Sequence, residues 1–493
     1  MTLVSAAPLD ARGGSYGGGG GYYPSPPKGK GGNAQSGDSG NANGGGVYND
    51  AGYWGYIYNG PYANKAGDGG LTKSGTAIGG NGPGGGGSAV SGKTGDANGG
   101  DVVNKGGVIV NGYKANQAGD GGKAISGDAT GGNAWKRGGP PPPTPKGKGG
   151  NAETGKSGDV DGGSVYNEAP YYWGGSIYNG PKANSGGDGG LTKSGAAKGG
   201  NGPGGGGSAL SGDTGSAYGG DVANVATYIH NGYKANSGGD GGKAISGSAT
   251  GGNAWKRGGP PPPTPKGKGG NAETGKSGHV DGGSVYNEAP YYWGSSIYNG
   301  VKANSGGDGG LTKSGAAKGG NGPGGGGSAL SGDTGSAYGG DVANVASYIH
   351  NGYKANSGGD GGKAISGSAT GGNAWKRGGP PPPTPKGKGG NAETGKSGDV
   401  DGGSVYNDAG YWGTVKNGVK ANSGGDGGLT KSGDAKGGKG PGGGGSALSG
   451  DTGSAYGGDV ANYGAVIYNG YKANSGGDGG KAISGSATGG DSW

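Results

Sequence analysis

Hydrophobic residues along this chain occur in short runs that end at the same dipeptide. Ser176-Ile177-Tyr178 precedes Asn179-Gly180, and Tyr228-Ile229-His230 precedes Asn231-Gly232. The dipeptide returns at Asn59, Asn111, Asn299, Asn351, Asn417 and Asn469, each followed by Gly. Asn-Gly readily supplies the two positive φ values of a type I′ turn. The pattern therefore predicts short β-hairpins, with Asn179, Gly180, Asn231, Gly232, Asn299 and Gly300 as turn residues. No stretch keeps a 3.6-residue apolar period, so no helix is predicted.

A second period lies between the runs. Gly149, Ala152, Gly155 and Gly158 stand three apart, as do Gly238, Gly241, Ala244 and Gly247. Small residues at every third position suit close-packed extended helices of the polyproline II type. Flexible Gly-rich coil is the alternative. The expected fold class is a low-complexity Gly-rich repeat protein. It combines short β-hairpins with extended polyproline-II-like Gly segments, is largely irregular or disordered, and has no helix.

The pattern repeats at two levels. Asn33, Asn151, Asn271 and Asn391 open long units of about 120 residues, and Trp135, Trp255, Trp375 and Trp493 close them. Each unit holds two related halves of roughly 60 residues, a period typical of repeat architectures. The expected division is a residual signal or pro segment over 1–12, then repeat units 13–137, 138–257, 258–377 and 378–493. From Asn167 to Gly180 there are 14 residues, but from Asn49 to Gly60 only 12. A two-residue difference keeps strand faces in phase, although a loop would also tolerate it.

Composition sharpens this picture. Of 493 residues, 150 are Gly and only 27% are hydrophobic, which leaves no material for a large aliphatic core. Cys is absent, which excludes disulfides and thiolate chemistry. The net charge is +8, yet acids and bases are interspersed and no run of five like charges occurs, so no nucleic-acid arm is expected. No apolar stretch is long enough to span a membrane. Ser5 and Ala7 have the small-x-small form of a signal-peptidase site, read here as the tail of a secretory signal. His230, His279 and His350 do not recur in every unit, and no nucleophile–base or metal-binding set does either. Asp188 in Gly-Gly-Asp-Gly-Gly falls at the wrong place for a calcium-binding β-roll. An enzyme is therefore not expected, nor any cofactor or metal.

The seams carry the most pointed chemistry. Lys136-Arg137, Lys256-Arg257 and Lys376-Arg377 each precede Gly-Gly and a run of four prolines, and Arg12 precedes Gly13-Gly14. Pro-rich sequence stays extended and unpaired, where proteases cut most readily. The last unit stops at its Trp, where no downstream cut is needed. Tandem units with a secretory start and Lys-Arg at each junction resemble the fungal family of kexin-processed repeat proteins. That family includes the repellent precursors of smut fungi and peptide-pheromone precursors. The resemblance implies secretion, a kexin-like processing protease as partner, and released units that self-assemble on or in the cell wall. The alternatives are an uncut glycine-rich wall protein and an ice- or polysaccharide-binding repeat, with cell-wall polysaccharide as a candidate ligand. Tyr171, Tyr172, Trp173, Tyr291, Tyr292 and Trp293 are the candidates for self-association, or else the small core of each hairpin.

Overall fold

The computed structural model describes residues 29–135, 147–170, 174–254, 267–290, 294–375 and 387–492. Each half-unit forms one coil, and eight coils stack in parallel. The first coil contains β1 (Ala34–Gln35), β2 (Val47–Asp50), β3 (Tyr56–Asn59), β4 (Asn64–Lys65), β5 (Leu71–Lys73) and β6 (Ala77–Ile78). Every later coil repeats these six strands, and equivalents stack into six eight-stranded parallel sheets. In the fourth strand of each coil equivalent residues step by 52 within the first unit, from Asn64 to Asn116, and by 68 across the first seam, from Asn116 to Asn184, whereas in the second strand the steps are 55, from Asn49 to Asn104, and 63, from Asn104 to Asn167.

Each coil runs outward along one wall through β1 and β2, turns at β3, and returns along a facing wall through β4, β5 and β6. The walls meet through glycines. Gly119 donates its N–H to the carbonyl of Gly100, and Gly100 donates to Gly67. A Cβ on Gly119 would lie 1.9 Å from the carbonyl oxygen of Gly67, its equivalent in the coil before, and 2.9 Å from the nitrogen of Gly100 on the facing wall, so even alanine would displace backbone on both sides there. Close approach, rather than turn geometry, explains why glycine fills the interior.

Parallel stacking without a shift sets like residues on top of like. Ile109, Ile177, Ile229, Ile297 and Ile349 form one buried column. Val102, Val165, Val222, Val285, Val342 and Val405 form a second. A third joins the walls through small side chains such as Ala77, Ala89, Ala129 and Ala152. Strand alternation places these residues inward: in Val165–Glu168 the valine and Asn167 are buried, while Tyr166 and Glu168 are half-buried. Columns of this kind let a chain poor in aliphatics keep a dry core.

The centre of the turn end is polar. Three asparagines per coil, all buried in the six inner coils, form three ladders. In the first, the amide of Asn104 donates to Asn167 at 2.8 Å, Asn167 to Asn224 at 2.9 Å, and Asn224 to Asn287 at 2.9 Å. The second runs through Asn111, Asn179, Asn231 and Asn299, and the third through Asn116, Asn184, Asn236 and Asn304. Cross-links such as Asn179 to Asn224 at 3.2 Å tie the ladders together. Each amide both donates and accepts within its column, so a group that would be costly to bury alone is satisfied.

These findings correct the expected fold class. The described chain is a regular solenoid-like stack, not an irregular or disordered one, and its strands pair in parallel between coils rather than as hairpins. Asn179, Asn231 and Asn299 end their strands and build the second ladder, while Gly180, Gly232 and Gly300 donate N–H groups to the ladder asparagine's carbonyl one coil earlier. The bend falls later, at residues such as Lys182, where φ is +53°. The two-residue length difference lies outside the strands: β2 and β3 are separated by 51–55, and the equivalent strands Val165–Glu168 and Ser176–Asn179 by 169–175. No helix occurs among the described residues, and none is long and apolar enough to cross a membrane.

Asn224 accepts from Asn167 and Asn179 and donates to Asn287. Replacing it by alanine leaves buried amides without partners, and we expect a local loss of about 3 kcal/mol. Because solenoid stability is a sum of neighbouring terms, the measurement is hydrogen exchange across Val222–Val225 and the coils on either side. Unchanged protection in Asn224→Ala would remove the ladders from the account of stability.

Candidate functional site

Because every coil repeats the one below, surface residues also line up in rows. The most distinctive row follows the turn after the third strand of each coil. Lys114, Lys182, Lys234, Lys302, Lys354, Lys420 and Lys472 all hold positive φ, between 47° and 53°. Tyr62 fills the equivalent place in the first coil with φ +57°. The turn backbone is tied from coil to coil: the Lys182 N–H donates to the Tyr233 carbonyl at 3.1 Å, and the Lys234 N–H to Val301 at 3.2 Å. The lysines are thus held one per coil along the stacking axis.

They line a trough of about 1050 Å³ together with the third asparagine ladder and a row of serines that includes Ser185, Ser237, Ser305 and Ser357. Among the described residues, none of the seven lysines forms a salt bridge. Tyrosines stand at the rim on alternate coils. Lys234 lies 5.7 Å from the Tyr233 ring centre, Lys354 5.6 Å from Tyr353 and Lys472 5.6 Å from Tyr471, within cation–π range. A further outward row, Tyr178, His230, Tyr298 and His350, spaces its rings by 6.2 to 6.5 Å.

Beyond the serines on the same wall runs a row of eight aspartates, from Asp68 and Asp120 through Asp188, Asp240, Asp308, Asp360 and Asp426 to Asp478. Each carboxylate accepts the backbone N–H of the next, as Asp188 does from Asp240 at 3.0 Å. On the opposite wall the signs alternate: Lys156 pairs with Asp213 at 2.9 Å, Lys276 with Asp333 at 3.1 Å, and Lys396 with Asp451 at 3.0 Å.

The residues singled out from sequence are distributed differently. Arg12, Lys136, Arg137, Lys256, Arg257, Lys376 and Arg377 lie outside the described residues, as do Tyr171, Tyr172, Trp173, Tyr291, Tyr292 and Trp293. The equivalents of these aromatics in the end units are on the surface: Tyr411 is 96% and Trp412 94% exposed, so in that coil they are not a hairpin core. The lysine row had a legible signal, since Lys-Ala-Asn follows Asn-Gly at the same offset in seven of the eight halves. Nothing in the sequence alone marked its positive φ. Among the described residues no group of acids and histidines could hold a metal ion.

No family model matches the chain, and no curated protein does. Among solved structures, the chain shows a weak likeness to a springtail antifreeze protein from Granisotoma rainieri described as a bundle of nine polyproline type II helices. It shares 17% identity over 48% of this chain and 85% of its own, with a TM-score of 0.08, and carries no argument about fold or function.

The aspartate row has a consequence for pH. Burial pushes the carboxyls of Asp188 and Asp308 above the usual range, and their aspartate neighbours push the same way, although each also accepts a backbone N–H that pulls it down. Such a group stabilises the fold below the unfolded pKa of about 3.9, and that contribution is lost as pH rises through the higher folded value. Asp213 runs the other way. Burial raises it, but the Lys156 side chain and the Lys276 N–H outweigh burial and hold it low, so its contribution is lost as pH falls below about 3.9. Thermal stability at low salt should therefore rise as pH drops from 7 toward 4 and decline below that. In the double variant Asp188→Asn/Asp308→Asn the rise above pH 4 should be shallower, and an unaltered profile would show that the row does not set it.

Proposed function

We propose that the chain is a secreted structural protein that works as one continuous stacked body at the cell wall or surface, rather than as four released quarters. Secretion and wall placement rest on the sequence features alone. The reading of a single body is supported by one observation: all six sheets run through the seams with the register they have elsewhere. Within the second unit, Val165–Glu168 pairs with Val222–Val225. Across the next seam, Val222–Val225 pairs in the same way with Val285–Glu288, and the other five strands do likewise. The asparagine ladders cross as well, from Asn224 to Asn287 and from Asn236 to Asn304. A cut after Arg137, Arg257 or Arg377 would sever a connection and leave the sheets on both sides paired.

A dibasic-specific protease added to the folded chain provides the check. Fragments of unit length on a denaturing gel, with one full-size species by native size exclusion, are the expected result. Quarters that elute separately under native conditions would return the function to released pieces.

A further inference from the structure

We infer that the lysine trough binds a linear anionic polysaccharide laid along the stacking axis, with its acidic groups on the lysines and its sugar hydroxyls against the serine row. The inference is independent of whether the chain is cut.

The backbone beneath these lysines is strained. A positive φ between 47° and 53° disfavours any residue with a Cβ. Glycine is the ordinary occupant of such a position, and this chain has 150 of them. Yet seven coils in succession place lysine there. A side chain kept at a strained position where glycine would serve the fold better is kept for what it reaches, and each of these lysines reaches the trough.

The seven lysines stand on backbone positions that repeat at the spacing of parallel strands, about 4.8 Å, and no acid of the described chain pairs with them in a salt bridge. A row of like charges at that interval is neutralised best by a polymer whose own charges repeat along one line. The interval is close to the length of one sugar ring in an extended chain. The aspartate row beyond the serines, Asp188 and Asp240 among it, repels the same polymer and confines it to the trough.

The lining of the trough favours a polysaccharide over other polyanions. Binding of single-stranded nucleic acid relies on aromatic platforms along the groove on which bases stack. Here the lining is hydroxyl, amide and ammonium. Tyr233 and Tyr353 stand at the rim with lysines over their rings. Inorganic polyphosphate has no hydroxyls for Ser185 and Ser237 to meet.

The experiment uses the full chain and polygalacturonate as the probe, followed by titration calorimetry at two salt concentrations. Fully methyl-esterified polygalacturonate, polyphosphate and oligo-dT serve as competitors. Polygalacturonate should bind and weaken steeply with salt, as expected when counterions are released, and the esterified polymer should not compete. The fourfold variant K182Q/K234Q/K302Q/K354Q should bind at least about ten-fold more weakly. The charge-matched variant K193Q/K243Q/K313Q/K363Q, on other rows of the same wall, should stay within about two-fold. Where the fourfold variant lacks the circular dichroism of the parent, the pairs K182Q/K234Q and K302Q/K354Q replace it, each with a smaller loss. Equal losses in the two fourfold variants would reduce the effect to net charge and overturn the site. Effective competition by the esterified polymer, or stronger binding of polyphosphate or oligo-dT, would overturn the ligand class.

Discussion

The structure depends on one constraint: polar groups that point along the stacking axis find their partners on the neighbouring coil. In a parallel stack without lateral shift, each strand's backbone bonds to the coils above and below, and side chains at equivalent positions come within reach of one another. The buried asparagine ladders meet the constraint with side chains alone, each amide donating in one direction and accepting from the other. On the surface the same rule takes a mixed form. The side-chain oxygen of Asn201 accepts the backbone N–H of Asn253, and that of Asp188 accepts from Asp240. These bonds supply acceptors for N–H groups in segments too irregular to form a continuous ladder, which is why Asx residues punctuate the glycine-rich stretches so regularly.

The composition follows from the same geometry. Two walls can meet at backbone distance only where side chains are missing, so glycine is concentrated where the walls touch. Apolar residues are then needed at only a few places per coil, because each inward Val or Ile continues a column already begun. Composition alone misleads here, because no coil has to enclose a core of its own. In a stack, an inward Ile229 is covered by Ile177 below and Ile297 above, and little aliphatic material shields the whole. The conformational cost of ordering glycine is real, and it is set against hydrogen bonding that extends the length of the stack.

What could be read from the chain beforehand divides along similar lines. The repeat, its two halves and the β-character of runs such as Ser176-Ile177-Tyr178 were legible, because local residue types carry them. The pairing was not. Asn-Gly at Asn179 has a strong local preference for a tight hairpin turn, but the asparagine is held by Asn111 below and Asn231 above, 52 to 68 residues away in sequence. Tertiary bonding overrode the turn preference. A hint did exist in the asparagines themselves. Three recur at near-constant offsets in every half, a regularity that turn chemistry does not require and that an amide ladder does. Neither the trough nor the positive φ of its lysines had a local signature, since both arise from how the turns stack.

Stacking also bears on which surface rows have a purpose of their own. The two-coil unit lets a row alternate, and one does: Lys156, Asp213, Lys276, Asp333, Lys396 and Asp451 neutralise one another along a single line. Like charges in a column are therefore not imposed by the repeat. The aspartate row keeps one sign in all eight coils, and there the fold supplies a reason, because each carboxylate completes the hydrogen bonding of the next backbone N–H. For the lysine row it supplies none. The turn backbone is bonded through its own N–H and carbonyl groups, the ammonium groups make no ion pair among the described residues, and glycine would fit the φ with less strain. A row that alternation could have neutralised, that the fold does not need, and that is held against the preference of its own backbone is best explained by a partner of opposite charge.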